Sequence, residues 1–463
     1  MRFNILLLAT ILIISYSCDF DEDINVSPAT PADVSAQAII PAAQTGLAWV
    51  IGGELVRLSG LFTQQFEGIN AQQGDNYRYL WRPSDGDGIW FRSYVSTLQS
   101  LVIVKEKAIE DNSNHTRAMA DILIAHGIGS LTDLFGDIPY NEAFGAEIDV
   151  TQPTYDTQET IYDTIQSLLD NSITLLNGPA GDGPALDSED LIYDGDLESW
   201  IAAAYSLKTK YYLRLSKRLG NQAYQDASLS LVNAIASNDQ DLQLLFGDDP
   251  NESNPAYQFS QDRNGNIIID TYFFELLNSL DDPRRSALLL PDTDDPSGFG
   301  RNFGQGSNIY YVNINSPVVM TSFTEMKFIQ AEIELMLNND VSAAEVALSE
   351  AITASIEKLT GDTDTTYVNI HSMLSTLSNN DERLEQIILQ KYIAMYSNGI
   401  EPWTDYRRTG YPELIPVSNG INSFNLNGEI PRRVSYPQSE LDLNNDNVPI
   451  KDGNLQTSLW WDD

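Results

Sequence analysis

The stretch SFTEMKFIQAEIELMLNND at residues 322–340, followed by VSAAEVALSEAITASIEKL at 341–359, decides how this chain folds. Met326, Ile329, Ile333 and Met336 recur at three- and four-residue steps, the period that gathers apolar side chains on one face of an α-helix. Ser322 and Glu325 stand at capping-box spacing at its start, so a helix is expected over 323–338. A second helix over 341–359 follows after a short turn, and the two read as a helical hairpin. The same pairing is expected for 88–110 with 115–134 and for 198–219 with 223–237. Ile161, Ile165, Leu168, Leu169 and Ile173 mark a further amphipathic helix. The run from Leu384 through Ile388, Lys391 and Met395 is expected to end at Gly399 as a C-terminal cap.

Two helices of about 12 to 20 residues with a short turn have the size of a tetratricopeptide repeat, roughly 34 residues, which buries its apolar faces only by stacking on neighbours. The consensus Trp, Gly and Tyr positions of that repeat do not recur. The expected fold is therefore all-α dominated, built of divergent tetratricopeptide-like helix hairpins with long irregular loops. Those loops, rich in Gly, Asn, Asp and Pro, cover chiefly 67–88, 136–155, 178–196, 239–266, 291–318 and 404–456. A compact fold keeps loops of that length for binding surfaces more often than for connection.

The chain has 463 residues, 42% of them hydrophobic, and no Gly/Ser- or Pro-rich run divides it, so one large folded unit is expected. With 26 Lys and Arg against 66 Asp and Glu, the formal charge is −40. That field repels nucleic acid and anionic headgroups and favours a neutral ligand, unless a local site reverses it. The pairs Arg284-Arg285, Arg407-Arg408 and Arg432-Arg433 stand near Asp281, Asp282, Asp405 and Glu429 and read as structural ion pairs.

At the start, Arg2, the apolar run Ile5 to Ile14 and the small residues before Cys18 make an export signal. The apolar run is about ten residues, too short for a bilayer-spanning helix of roughly 20, and no later segment is expected to span either. Cys18 is the single cysteine, so it has no internal disulfide partner, and its position resembles a bacterial lipoprotein acylation site, although Ser15 stands where Leu is common. Acyl chains such as palmitate would anchor the protein without embedding it. Asp19-Phe20-Asp21-Glu22-Asp23 begins a tether, similar to the acidic tag of surface lipoproteins in Bacteroidetes. The expected organisation is a signal peptide at 1–17, a flexible acidic tether at 18–35 and one domain at 36–463.

Five phrases carry a resemblance: Asp133-Leu-Phe-Gly-Asp-Ile-Pro-Tyr140, Asn254-Pro-Ala-Tyr257, Gln390-Lys-Tyr-Ile-Ala394, Glu401-Pro-Trp-Thr-Asp-Tyr-Arg-Arg-Thr-Gly-Tyr-Pro412 and Arg432-Arg-Val-Ser-Tyr-Pro437. In order and combination they resemble the SusD-like (SusD/RagB) outer-membrane lipoproteins of Bacteroidetes. The resemblance implies a non-catalytic, lipid-anchored glycan-binding protein at the cell surface. Such a protein passes oligosaccharides or polysaccharides to a SusC-like TonB-dependent outer-membrane transporter. It also implies an α-superhelix whose loop-rich face holds the ligand.

Other chemistry is weakly supported. Glu401 and Asp405, four apart, could form an acid and base pair, but Arg407, Arg408 and Trp403 beside them point to a structural ion network. His115, His126 and His371 are scattered without metal-ligand spacing, and Asp442-Leu-Asn-Asn-Asp446 lacks the Gly and Glu of a calcium loop, so no metal or cofactor is expected. Sugar rings stack their C–H faces on aromatic side chains while their hydroxyls bond amides and carboxylates. The segment Asn70 to Arg82 supplies both kinds, and the candidate glycan contacts are Asp75, Tyr77, Tyr79, Trp81 and Arg82, with Phe303 and Tyr310 from the 291–318 loop. Trp90 and Tyr94, at helical spacing, are assigned to the core. Two rival functions remain, a helical-repeat surface scaffold for peptide or protein partners and a glycoside hydrolase, for which no isolated carboxylate pair is visible.

Overall fold

The computed structural model describes residues 34–144, 150–295, 298–306 and 308–463. Cys18, the signal and all but the last two residues of the acidic tether lie outside the described residues. The architecture is helical. The main helices are α1 (Ala36–Phe62), α2 (Ala71–Tyr77), α3 (Gln99–Glu110), α4 (Asn114–Phe135), α5 (Gln158–Leu176), α6 (Leu197–Arg214), α7 (Asn221–Leu231), α8 (Phe323–Met336), α9 (Val341–Thr360), α10 (Asn380–Ala394) and α11 (Glu401–Thr409). Two short antiparallel ribbons accompany them: β1 (Phe66–Gly68) pairs with β3 (Ile267–Ile269), and β2 (Leu242–Leu244) with β4 (Val318–Thr321).

The expected hairpins form, with α3 on α4, α6 on α7 and α8 on α9, and α5 closes on α4. Side-chain caps start the helices: Ser322 accepts from Glu325 N, Asp340 from Ala343 N, Asp196 from Ser199 N and Thr157 from Thr160 N. Gly361, at φ +74°, ends α9 in the left-handed conformation that a side chain disfavours. α4 is buried on every side from Ala118 to Phe135, as befits a central helix, and its buried Asp121 and Asp133 are ion-paired. At Gly129 a Cβ would stand 2.2 Å from Tyr211 Oη, so the glycine is what lets α4 and α6 approach.

Several boundaries differ from expectation. α7 stops at Leu231 because the backbone turns, and Ile235 N finds the Ser206 hydroxyl at 2.9 Å instead of a helical carbonyl. α10 stops at Ala394, well before Gly399, because Tyr396 leaves the helix to stack on Phe273, 5.2 Å between centroids. The 67–88 loop contains α2 and a 3₁₀ turn at Pro83–Gly86. Ala36–Phe62 and Asn114–Phe135 are, contrary to expectation, long and apolar enough to cross a bilayer, but the second is wholly buried inside the protein.

Glu401 and Asp405 serve the ion network that the arginines announced. Glu401 pairs with Arg214 and lies 3.3 Å from Lys210, which reaches Glu325 at 3.1 Å; Arg214 also pairs with Asp133. Asp405 binds Lys391 at 2.8 Å and Arg408 at 2.9 Å, and Arg408 grips Glu332 with both terminal nitrogens. The network therefore clips α4, α6, α8, α10 and α11 together. Burial alone would raise the carboxyls of Glu401 and Asp405, but the surrounding cations overcome it and hold both below the usual carboxylate range. Arg284 and Arg285 pair with Asp282 and Asp281 as expected, whereas Arg432 takes Asp462 and not Glu429. Arg407 lies over Trp403, 3.8 Å to the centroid, and donates to the carbonyls of Asp133 and Arg432.

The last quarter of the chain clasps the first. Trp403 packs edge-on against Phe62 at 5.1 Å, Gln65 Nε2 donates to Tyr392 O at 2.9 Å, and Tyr392 Oη donates to Thr63 O at 2.8 Å. Val417 N donates to Tyr79 Oη at 3.3 Å, and Asn422 Nδ2 donates to Tyr79 O at 3.0 Å.

Candidate functional site

α1 does not run as a plain helix. A π turn at Val50–Leu55 widens it by one residue per turn, and Glu54 and Arg57 face the 72–89 segment across a cavity of about 200 Å³. Asn76 and Trp81 complete the polar wall with Gln72, Gln73 and Asp85. Trp81 is 2% exposed and Asn76 5%, yet Trp81 Nε1, Asn76 Oδ1 and Glu54 Oε2 are buried without a hydrogen-bond partner in the protein. An unpaired buried polar atom costs about 1 to 3 kcal/mol. All three belong to residues that line the cavity, a donor and two acceptors buried just behind its surface.

Gly88 belongs to the cavity wall and also to the neighbouring groove of about 830 Å³. That groove is walled by Trp49, half-buried, and Phe91, 60% exposed, with Arg92 and Ser439 beside them. Arg92 Nε stands 3.4 Å from Glu54 Oε1, and Arg57 lies over the Phe259 ring, 4.4 Å to its centroid. Burial pushes the Arg57 guanidinium down to about 10, with Glu54 opposing the shift and Arg92 adding to it, so Arg57 remains charged at neutral pH. An aromatic wall beside a cavity of unpaired donors and acceptors is the chemistry a carbohydrate needs.

The sequence-predicted residues divide sharply. Tyr79 is fully buried, edge-on to Phe62 at 6.1 Å, and Trp81 joins the same core, so neither ring has a free face for a sugar. The cause is local: Tyr79 takes a positive φ of +59°, which turns the chain inward directly after α2. Of the expected stacking platform, Trp81 lines the cavity, as a buried side chain. Tyr77 is half-buried and its hydroxyl donates to Asp270 Oδ2 at 2.7 Å. Asp75 is held by Arg78 at 2.6 Å and Arg82 at 3.0 Å, leaving Arg82 at the rim. Phe303 is buried edge-on against Phe66 at 5.1 Å, and Tyr310 packs on Tyr311 at 4.7 Å. The two loop regions do meet, through β1 and β3: Asn302 bridges to Ile268, and Arg301 pairs with Glu67. Trp90 and Tyr94 are core residues, as assigned.

Sequence reasoning passed over Trp49, Glu54, Arg57 and Phe91. A signal was present, since Glu54 and Arg57 are the charged residues in an apolar run from Val50 to Phe62. Among the described residues no group of three or more His, Cys, Asp or Glu could hold a metal ion.

Comparison with curated proteins returns no match. The SusD-like family described as "Starch-binding associating with outer membrane" matches residues 28–437. Among solved structures, a SusD/RagB family protein of Bacteroides thetaiotaomicron VPI-5482 is similar at TM-score 0.77 and 24% identity, over 93% of this chain and 99% of that one. A chitin-binding SusD homologue from Flavobacterium johnsoniae is similar at TM-score 0.76 and 22% identity, over 92% and 98%. The structural matches share the helical fold over more than nine-tenths of the chain, the family match spans most of the sequence, and the chain belongs to the SusD-like family.

Proposed function

We propose that this protein is a non-catalytic glycan-binding lipoprotein of the outer-membrane surface, which captures oligosaccharide or polysaccharide and delivers it to a SusC-like TonB-dependent transporter. The observation that carries the reading is the cavity with its unpaired Trp81 Nε1, Asn76 Oδ1 and Glu54 Oε2, opening beside the Trp49 and Phe91 groove. The family description and the chitin-binding homologue support the ligand class. The two acids on the cavity wall, Glu54 and Asp85, each face an arginine, Arg92 at 3.4 Å and Arg82 at 3.9 Å. In this reading Cys18 carries the lipid anchor, 18–35 is the tether and 36–463 is one SusD-like domain.

A peptide- or protein-binding scaffold is favoured by one observation. A groove of about 880 Å³ opens between α7, α8 and α9 on the repeat face, where Val232 is exposed. Its only aromatic is Phe323, and Lys327 on its wall is paired with Glu350 at 2.7 Å, so it suits a protein surface better than a sugar. Titration of the purified protein against soluble polysaccharides, neutral and acidic, with reducing ends assayed in parallel, tests the main reading. Binding without release of reducing ends is expected; hydrolysis, or peptide binding with no glycan binding, would overturn it.

A further inference from the structure

We infer that Arg57 selects the guest of the cavity and that this guest carries a sugar carboxylate, as in a uronic-acid-containing glycan. The inference rests on the reading of the cavity as a glycan site and names its substrate class. Arg57 donates no hydrogen bond and has no carboxylate at ion-pair distance among the described residues; its one close partner is the Phe259 ring. A ring covers one face of the guanidinium plane and leaves the in-plane N–H edge free, the edge that binds a carboxylate with two parallel bonds.

The acids nearby do not supply that carboxylate. Glu54, three residues back on α1, presents Oε1 to Arg92 at 3.4 Å, so Glu54, Arg57 and Arg92 together keep one positive charge. Asp85 is occupied by Arg82, whose backbone N–H donates to it at 2.8 Å and whose guanidinium lies 3.9 Å away. A neutral guest would leave Arg57 only the Glu54 charge that Arg92 shares, whereas a carboxylate would give it a hydrogen-bonded counter-ion of its own. Gln72, Gln73 and Asn76 on the same wall bring amide groups for the hydroxyls of the same sugar.

The charge of −40 on the whole chain does not decide this. Residues 57–92 hold four arginines (Arg57, Arg78, Arg82, Arg92), no lysine and four acids (Glu67, Asp75, Asp85, Asp87), a neutral segment in a strongly acidic protein. At physiological salt, exposed charges beyond about 8 Å are largely screened, so the arginine in contact outweighs the distant acids.

The test is calorimetric titration of the full chain with polygalacturonate, alginate and glucuronoxylan. Starch, chitin oligosaccharides and unsubstituted xylan serve as neutral probes, and a sulfated galactan as an anion without carboxylate. At least one uronate polymer should bind, and its carboxyl-reduced form should bind about 10- to 100-fold more weakly, the loss of a charge-assisted pair. Arg57→Gln should show the same loss with the uronate polymer, and Arg57→Lys, which keeps the charge but not the fork, an intermediate one; melting curves confirm that both fold. Tight binding of a neutral probe, insensitive to Arg57→Gln, would overturn the inference and leave the glycan reading standing. Binding of the sulfated probe alone would overturn the carboxylate assignment. Binding of none of these glycans would overturn the inference together with the glycan reading beneath it.

Discussion

Replacing Trp81 with phenylalanine removes an indole N–H from the cavity wall and little else. The smaller ring leaves roughly 40 Å³ unfilled, which at about 24 cal/mol per Å³ costs about 1 kcal/mol. The lost N–H was buried and unpaired in the free protein, so removing it returns a desolvation cost of about 1 to 3 kcal/mol. These terms oppose each other, and the melting temperature should stay within about 3 °C of wild type. Binding should suffer, because one hydrogen bond to a sugar oxygen is worth about 0.5 to 1.5 kcal/mol, a factor of roughly 2 to 12 in affinity. Trp81→Ala should behave differently: at 2% exposure the whole ring is core, and its loss costs about 3 to 5 kcal/mol of stability. Calorimetric titration against a bound glycan and differential scanning calorimetry on both variants separate the effects. If Trp81→Phe leaves affinity unchanged while its melting temperature falls as far as that of Trp81→Ala, the indole is packing only, and the cavity assignment is wrong.

Phe91→Ala, at an exposed ring, should weaken glycan affinity by about 0.5 to 1.5 kcal/mol with no change in melting temperature; an unchanged affinity would remove the groove from the site. Glu401→Gln leaves Arg214 and Lys210 short of a buried counter-ion and should cost about 3 to 5 kcal/mol by urea unfolding, whereas a cost below about 1 kcal/mol would show that the network is not mutually supporting. Asp282, Asp405 and Glu401 are raised by burial but lowered further by their cations, so their folded values lie below the unfolded ones, 3.8 for Asp and 4.5 for Glu. Their stabilisation is complete above those unfolded values and is lost as pH falls through the folded ones, so the urea midpoint should drop from pH 5 to pH 3; a rise would reverse the sign of the reasoning. Metabolic labelling with a fatty-acid analogue should mark the wild type and not Cys18→Ala, and equal labelling would refute the lipid anchor.

The helical hairpins were legible because a 3.6-residue period and a Ser, Thr or Asp cap are local signals, written within a few residues of where they act. Ser322 and Ile333 say the same thing in sequence and in space. The site was legible only as a region. Tyr79 and Trp81 stand among Asn, Gln and Gly, a composition that reads as a solvated loop; the positive φ at Tyr79 turns the chain inward, and Val417 and Asn422, more than 330 positions away, hold Tyr79 there. Glu54 and Arg57 escaped for another reason: the π turn at Val50–Leu55 shifts every later side chain on α1, and a regular helical wheel points them elsewhere. The neutral ligand suggested by the chain's charge rests on a sum over 463 residues, and the carboxylate proposed for Arg57 is the local reversal that this sum leaves open.

The clasp between the two ends of the chain sets the order in which the protein can come into being. Thr63, Gln65 and Tyr79 flank the cavity segment, and they are held by Tyr392, Val417 and Asn422. Contacts of such separation close late, because most of the polypeptide must be present and collapsed before the partners meet. A ribosome has released over 80% of this sequence before the first of these anchors exists, so helices such as α3 and α4 can pair while the cavity wall is still unformed. A fragment cut short before residue 392 would lack every one of these partners of Thr63, Gln65 and Tyr79.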